Sequence, residues 1–163
     1  MGNGRGKLRH VMDWRAALWA GLIAGAAFLV SNMLLTEIFL GSPWVAVRLT
    51  ASVLLGPDVL PPPATFDGRA LAVAILVHFP LSVLFACLVA LILHRWGMVA
   101  GLFGGAACGL ALYAIHFYTL SFLFPWFYPM RGWLMAASHA LFGAVAGVVY
   151  EALELERPAP AGP

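Results

Sequence analysis

Charged residues are scarce in this chain of 163 residues: Asp, Glu, Lys and Arg make up 10% of it, whereas hydrophobic residues make up 63%. Soluble domains carry about 25% charged residues, and the mean hydropathy of +0.92 is far above that class. A basic, aromatic-laced surface segment is also missing, so the net charge of +2 does not indicate nucleic-acid binding. The composition therefore predicts a multi-pass membrane protein in contact with the lipid bilayer.

Cysteines and catalytic motifs are scarce as well. The two cysteines, Cys87 and Cys108, both fall within apolar segments at different depths, which favours a packing role over a disulfide. The sequence has no HExxH, CxxC, Walker or GxGxxG pattern and no evident Ser–His–Asp arrangement. The apolar segments also lack the carboxylate pairs and nucleophiles of a hydrolase or transferase, so an enzyme is not the expected class.

Four long apolar segments predict an all-α integral membrane protein built as a four-helix bundle. The predicted spans are about 14–40, 69–93, 97–121 and 132–151, with tails at 1–13 and 152–163. Between the first two spans, Pro43 and Gly56–Pro57 mark the ends of a short apolar helix that we expect to lie on the membrane surface. The turn from the second span into Gly97 is very short and predicts an antiparallel hairpin of spans two and three.

The basic residues predict the orientation in the membrane. Four spans place both termini on one side, and six basic residues share that side while three lie on the other: Arg5, Lys7, Arg9, Arg15, Arg95 and Arg157 against Arg48, Arg69 and Arg131. Because basic residues are enriched in cytoplasmic segments, we expect both termini in the cytoplasm.

Small residues recur at helical spacing and predict where helices touch. In the third span a glycine occupies every fourth position, and shorter repeats occur in the first and fourth spans: Gly97, Gly101, Gly105 and Gly109, then Gly21 and Gly25, then Gly143 and Gly147. Residues at this spacing share one helix face, and small residues mark close helix–helix contacts in membranes. The inner half of the bundle is therefore predicted to pack tightly.

Three histidines carry the candidate chemistry. His78, His116 and His139 lie on spans two, three and four, and at ~1.5 Å of rise per residue they reach the same depth to within about one helical turn. Each shares a helix face with small residues, so all three rings are expected to point inward. Bulky aromatic residues fill the outer half of the bundle, which predicts a pocket at the level of the histidines.

Other polar and aromatic residues are candidates for the same pocket. Glu37, near the end of the first span and somewhat shallower, is a possible fourth metal ligand beside the three histidines. The remaining predicted lining residues are Asn32, Ser82, Tyr118, Trp126 and Trp133.

Several ligands and functions fit this pattern. Two histidines on opposite helices suit haem b, three converging histidines suit a zinc, copper or iron ion, and one histidine with an aromatic lining suits a quinone or quinol. Alternatively, each histidine could have a purely structural role and form a hydrogen bond to a neighbouring helix. The favoured function is a redox-associated accessory subunit beside other membrane subunits. The alternatives are a cofactor-free assembly subunit, partnering other chains or itself through Gly/Ala faces, and a small oligomeric transporter or channel.

Four short motifs resemble a known family: HFPLSVLFA at 78–86, the Gly-rich third span ending in His116, the PW at 125–126 and SHALFG at 138–143. Over about residues 70–150 the chain resembles small, uncharacterised bacterial inner-membrane proteins of YagU-like type. The resemblance implies a four-helix protein of the bacterial inner membrane with histidines on spans two to four. It brings no established reaction, and the short first loop departs from the family pattern.

Overall fold

The structure, a computed structural model, describes residues 12–154, so nearly all of both predicted tails lies outside the described range. Within that range the chain is helical and contains no strand. Its α-helices are α1 (Trp14–Leu40), α2 (Trp44–Leu55), α3 (Gly68–Leu93), α4 (Met98–Ala114) and α5 (Trp133–Leu153). A π-helical turn, Ile115–Thr119, and a 3₁₀ turn, Leu120–Phe122, continue α4, and further 3₁₀ turns lie at Pro57–Val59 and Pro125–Met130.

Four of these helices are long and apolar enough to cross a membrane: α1, α3, α5, and α4 together with its continuation to Phe122. Many large apolar side chains on them point away from the protein, such as Val99 and Phe103 at 72% and 69% exposure. In water such a surface would be unfavourable, whereas it suits contact with lipid chains. The chain is therefore a small multi-pass membrane protein with an all-α fold, as the composition predicts.

Aspartates cap the two helices that begin near polar segments. The Asp13 carboxylate accepts from the N–H groups of Arg15 and Ala16 and so caps α1. Asp67 accepts from Arg69 and Ala70 at the start of α3, and the bond from the Ala70 N–H is the main cause that lowers the pKa of the Asp67 carboxyl. α3 then runs continuously through Pro80 to Leu93.

Helix packing does not follow chain order. α4 packs most extensively on α5, α5 on α1, and α1 on α3, while α2 lies against α3 and α1. The turn between α3 and α4 is short, as expected, but these two helices contact each other only slightly. The extensive contact of α4 is with α5 because both helices present glycines to each other.

The contact between α4 and α5 brings backbone against backbone. A Cβ on Gly101 would lie 2.9 Å from the carbonyl oxygen of Gly147, and a Cβ on Gly105 would overlap the carbonyl of Gly143. The reverse holds for Cβ atoms on Gly143 and Gly147, which would overlap the carbonyls of Gly105 and Gly101. We call these four residues, together with Gly109, the glycine seam. Only glycine permits so close an approach of two helices.

Gly109 extends this seam to the level of the histidines, whereas Gly97 does not belong to it. A Cβ on Gly109 would overlap the carbonyl of His139 on α5. Gly97 precedes α4 with a φ of +84°, and no atom lies within 4 Å of a Cβ built there. Its role is to supply the left-handed backbone of the α3–α4 turn, not a helix contact.

A second close contact joins α1 to α3. A Cβ on Gly21 would lie 2.6 Å from the Cα of Val83, and one on Gly25 would lie 2.8 Å from the Ser82 hydroxyl oxygen. The backbone of α1 therefore lies directly against α3 at the depth of Ser82, one turn from His78.

The glycine seam predicts different effects of the same substitution at two sites. Gly105→Ala should lower the free energy of unfolding by about 1–3 kcal/mol, because the new methyl meets a backbone carbonyl that cannot move aside. Gly68→Ala, on an exposed residue at the start of α3 where the nearest atom is 3.9 Å away, should leave stability unchanged or slightly raised. Thermal unfolding in detergent compares the two. Equal behaviour of both variants would contradict the seam.

Candidate functional site

One end of the bundle contains a cavity of about 180 Å³. All five α-helices, the turns that follow α4 and the aromatic segment at 124–127 contribute to its walls. His78, His116 and His139 all line it, on three different helices. Most of the lining is aliphatic or aromatic: Phe28, Ala46, Leu49, Val53, Val77, Leu81, Phe85, Leu112, Phe117, Leu120, Phe124, Phe127, Met135 and Phe142.

Two of the histidines are directly hydrogen-bonded to each other. His139 Nδ1 lies 2.7 Å from the carbonyl oxygen of Met135, and because a carbonyl only accepts, this nitrogen carries the proton. In the neutral ring Nε2 of His139 is then an acceptor, and His116 Nδ1 donates to it across 3.1 Å. His139 is buried at 5% exposure, and His116 is half-buried.

His116 owes its position to a change of helix type. It lies in the π-helical turn Ile115–Thr119 that follows α4. Such turns insert one extra residue into a helical turn and are frequent at functional sites. The His116 ring packs edge-on against Phe85 of α3, with the ring centroids 5.0 Å apart.

His78 makes a separate contact on the other side of the cavity. Its Nε2 lies 2.8 Å from the carbonyl oxygen of Gly25, so this nitrogen donates to the backbone of α1. Phe28 packs against both histidine groups: its ring stacks on His78 with centroids 5.4 Å apart and meets His139 edge-on at 4.9 Å. The Phe28 ring therefore lies between His78 and His139.

This arrangement does not suit the metal hypotheses. Throughout residues 12–154, no group of three or more His, Cys, Asp or Glu side chains is placed to hold a metal ion. In His139 one nitrogen donates to a carbonyl and the other accepts from His116, which leaves no lone pair for a metal. His116 Nδ1 and His139 Nε2 are hydrogen-bonded to each other at 3.1 Å, so these two nitrogens are not placed to bind one haem iron from opposite sides.

Two further predicted residues, Asn32 and Ser82, do line the cavity. The Ser82 hydroxyl donates to the carbonyl oxygen of His78 at 2.8 Å. The amide nitrogen of Asn32 donates to the carbonyl oxygen of Phe28 at 3.1 Å. Asn32 is buried at 1% exposure, and its carbonyl oxygen Oδ1 has no hydrogen-bond partner.

Glu37 and Trp133 lie outside the cavity lining. Glu37 is exposed in the last turn of α1. It follows Asn32 by five residues and so points about 140° away from it around the helix. Trp133 is 61% exposed and packs edge-on against Phe39, with centroids 5.0 Å apart. Neither residue is placed to bind the same ligand as the histidines.

Tyr118 and Trp126 also lie outside the lining, for reasons found in the loop after α4. The π-helical turn directs Tyr118 outward, where its ring packs under the Arg131 guanidinium at 4.5 Å. Arg131 also donates to the carbonyl of Phe117 and so holds this turn. The Trp126 indole N–H donates to the Ser52 hydroxyl at 2.9 Å and fastens the aromatic segment to α2.

The short helix α2 forms one wall of the cavity, a role that its sequence did not suggest. Five buried residues are distributed around α2: Ala46, Val47, Leu49, Ala51 and Ser52. Val47 and Ala51 pack on α1 and α3, whereas Leu49 packs on Phe117 and Met135. Arg48 donates to the carbonyl oxygens of Val59 and Thr65 at 3.0 Å and ties the following loop to the helix. Its small residues Ala46, Ala51 and Ser52 lie about 100–140° apart around the helix and mark no single face, so the sequence did not indicate this packing.

His94 belongs to a polar cluster at the opposite end of the bundle. Its Nδ1 lies 2.5 Å from Glu154 Oε1 and 3.0 Å from the hydroxyl of Tyr150. Tyr150 is 1% exposed, and its hydroxyl accepts from the backbone N–H of Asp13 at 3.3 Å. The cluster joins the start of α1, the end of α3 and the end of α5.

Comparisons with protein-family models, with curated proteins and with solved structures find no match to this chain. The cavity must therefore be interpreted from its own size, lining and hydrogen bonds.

Proposed function

We propose that this membrane protein binds the ring of a quinone-type molecule, oxidised or reduced, in the histidine-lined cavity. It would serve as an accessory, redox-associated membrane subunit that holds the ring and does not itself catalyse a reaction. The observation that carries the proposal is a ring-sized apolar cavity lined by three imidazoles and by Asn32, whose buried side-chain oxygen has no partner.

The size of the cavity supports a single ring. An apolar cavity of about 150 Å³ is large enough to bind benzene, and the cavity here measures about 180 Å³. Drug-sized ligands and cofactors occupy pockets of about 300–1,000 Å³. A substituted six-membered ring therefore suits this volume better than a porphyrin.

The lining supports the binding of a ring that carries oxygen atoms. No acidic residue, lysine or cysteine occurs among the described residues that line the cavity. The polar groups that do occur are imidazoles, hydroxyls and one amide, which suit the oxygen atoms of a quinone or quinol. A ring dissolved in the bilayer would find aromatic partners there, with Phe28, Phe85 and Phe142 on three different walls.

The alternative of a cofactor-free assembly subunit has less support, because the chain uses its glycine faces internally. Gly101, Gly105 and Gly109 meet α5, while Gly21 and Gly25 meet α3. These surfaces are therefore not open to helices of another protein.

We further propose that the protein lies in a bacterial inner membrane with both termini in the cytoplasm. The distribution of basic residues supports this orientation, and the resemblance to YagU-like proteins implies the bacterial inner membrane. In a variant without the native cysteines, a cysteine at the exposed Asp58 should react with a membrane-impermeant maleimide added outside intact spheroplasts. Reaction only after lysis would indicate the opposite orientation.

A cavity-filling variant tests the proposed binding. Val53→Phe places a phenyl ring toward the cavity from α2, so it should weaken the binding of a methyl-substituted para-benzoquinone by at least about tenfold. Leu54→Phe is the matched control, because Leu54 is the next residue, is 63% exposed and does not line the cavity. Isothermal titration of the protein in nanodiscs, corrected for partition into empty nanodiscs, measures both affinities.

The expected result is saturable binding of one ring per chain that is retained in Leu54→Phe and lost in Val53→Phe. No saturable binding to the unmodified protein, or equal weakening by both variants, would overturn the proposal.

A further inference from the structure

The hydrogen bonds of the cavity histidines determine which of their ring nitrogens can receive a ligand. His139 Nδ1 donates to Met135, and its Nε2 accepts from His116 Nδ1. The neutral His116 ring therefore keeps a lone pair on Nε2. This nitrogen makes no hydrogen bond with any residue that the structure describes.

The His78 ring also keeps one free lone pair, for a different reason. Its Nε2 must carry the proton because the partner is the carbonyl oxygen of Gly25. Nδ1 of the neutral ring is then an acceptor, and no hydrogen bond to it occurs in the described part of the chain. Two histidines that line the cavity therefore each keep one unused acceptor nitrogen.

Asn32 adds a third acceptor, independent of any choice of tautomer. Its amide nitrogen donates to the carbonyl oxygen of Phe28, while Oδ1 is buried and has no partner. A buried carbonyl oxygen without a donor is unfavourable. Because Asn32 lines the cavity, a hydroxyl of the ligand is the partner that we expect for this oxygen.

The donors of the cavity, in contrast, are already used. The Ser82 hydroxyl donates to the carbonyl oxygen of His78 at 2.8 Å, and the Thr50 hydroxyl donates to that of Ala46 at 3.0 Å. Only the second amide hydrogen of Asn32 remains, against three acceptor atoms. The cavity is therefore complementary to a ligand that brings its own hydrogen-bond donors.

We propose that the cavity selects the reduced form of its ligand, a quinol, over the corresponding quinone. This inference rests on the proposed function, since it names the form of the ring that the same site prefers. The hydroxyl groups of a quinol donate to the lone pairs of His116, His78 or Asn32. The carbonyl oxygens of a quinone would face those lone pairs without a proton between them.

Three ligands with the same ring test the selectivity. They are a methyl-substituted para-benzoquinol, its oxidised form (the para-benzoquinone) and the dimethyl ether of the quinol. The ether keeps the ring and both oxygens but cannot donate. Anaerobic titration of the protein in nanodiscs should show the quinol bound at least about tenfold more tightly than the quinone and the ether.

A variant at Asn32 tests the acceptor directly. Asn32→Leu removes the unpartnered oxygen at similar side-chain size, so the ratio of quinol to quinone affinity should fall toward one. Ser31→Ala is the matched control: Ser31 also donates to the Phe28 carbonyl oxygen, at 2.9 Å, but does not line the cavity. This control should keep the ratio of the unmodified protein.

The outcomes separate the two proposals. Saturable binding of both forms with equal affinity, or with a preference for the quinone or the ether, overturns the selectivity and leaves the proposed function standing. Saturable binding of neither form overturns the proposed function itself. If Asn32→Leu does not fold, as judged by its thermal unfolding, the three-ligand comparison on the unmodified protein still decides.

Discussion

Helices α4 and α5 touch backbone to backbone along the glycine seam, and the position of the site depends on that contact. Gly105 faces Gly143, and Gly109 lies against the carbonyl of His139. With any larger side chain at these positions the helices would have to separate. The hydrogen bond of 3.1 Å between the His116 and His139 rings, at the end of this contact, would then be lost.

The seam ends where α4 changes its helix type, and that change opens the cavity. Up to Ala114 the helix is regular and packs on α5, after which the π-helical turn Ile115–Thr119 carries His116 and Phe117. Bulky side chains replace glycine from this point onward. Tight packing on one side and aromatic packing on the other leave the ring-sized space that the three histidines share.

Composition and periodicity were sufficient to predict the fold class and the glycine positions. Runs of apolar residues long enough for a bilayer indicate the membrane helices, and a glycine every fourth residue indicates a helix face that needs close contact. Both signals are local in the chain, so the sequence displays them directly. Their limit is visible at Gly97, which continues the spacing but lies in a turn.

The details of the site depend on contacts between distant residues, and periodicity does not encode these. Phe28 packs against both His78 and His139. As a result, His116 and His139 form a hydrogen-bonded pair, while His78 lies apart from them. The π-helical turn directs Tyr118 away from the cavity and against Arg131. In both cases the outcome is decided by contacts with residues of other segments of the chain.

Nuclear magnetic resonance of the protein with isotope-labelled histidine tests the central arrangement most directly. The account predicts a scalar coupling across the hydrogen bond from His116 Nδ1 to His139 Nε2, with the ring proton of His139 on Nδ1. Well-resolved signals from both rings without that coupling, or a His139 proton on Nε2, would contradict it.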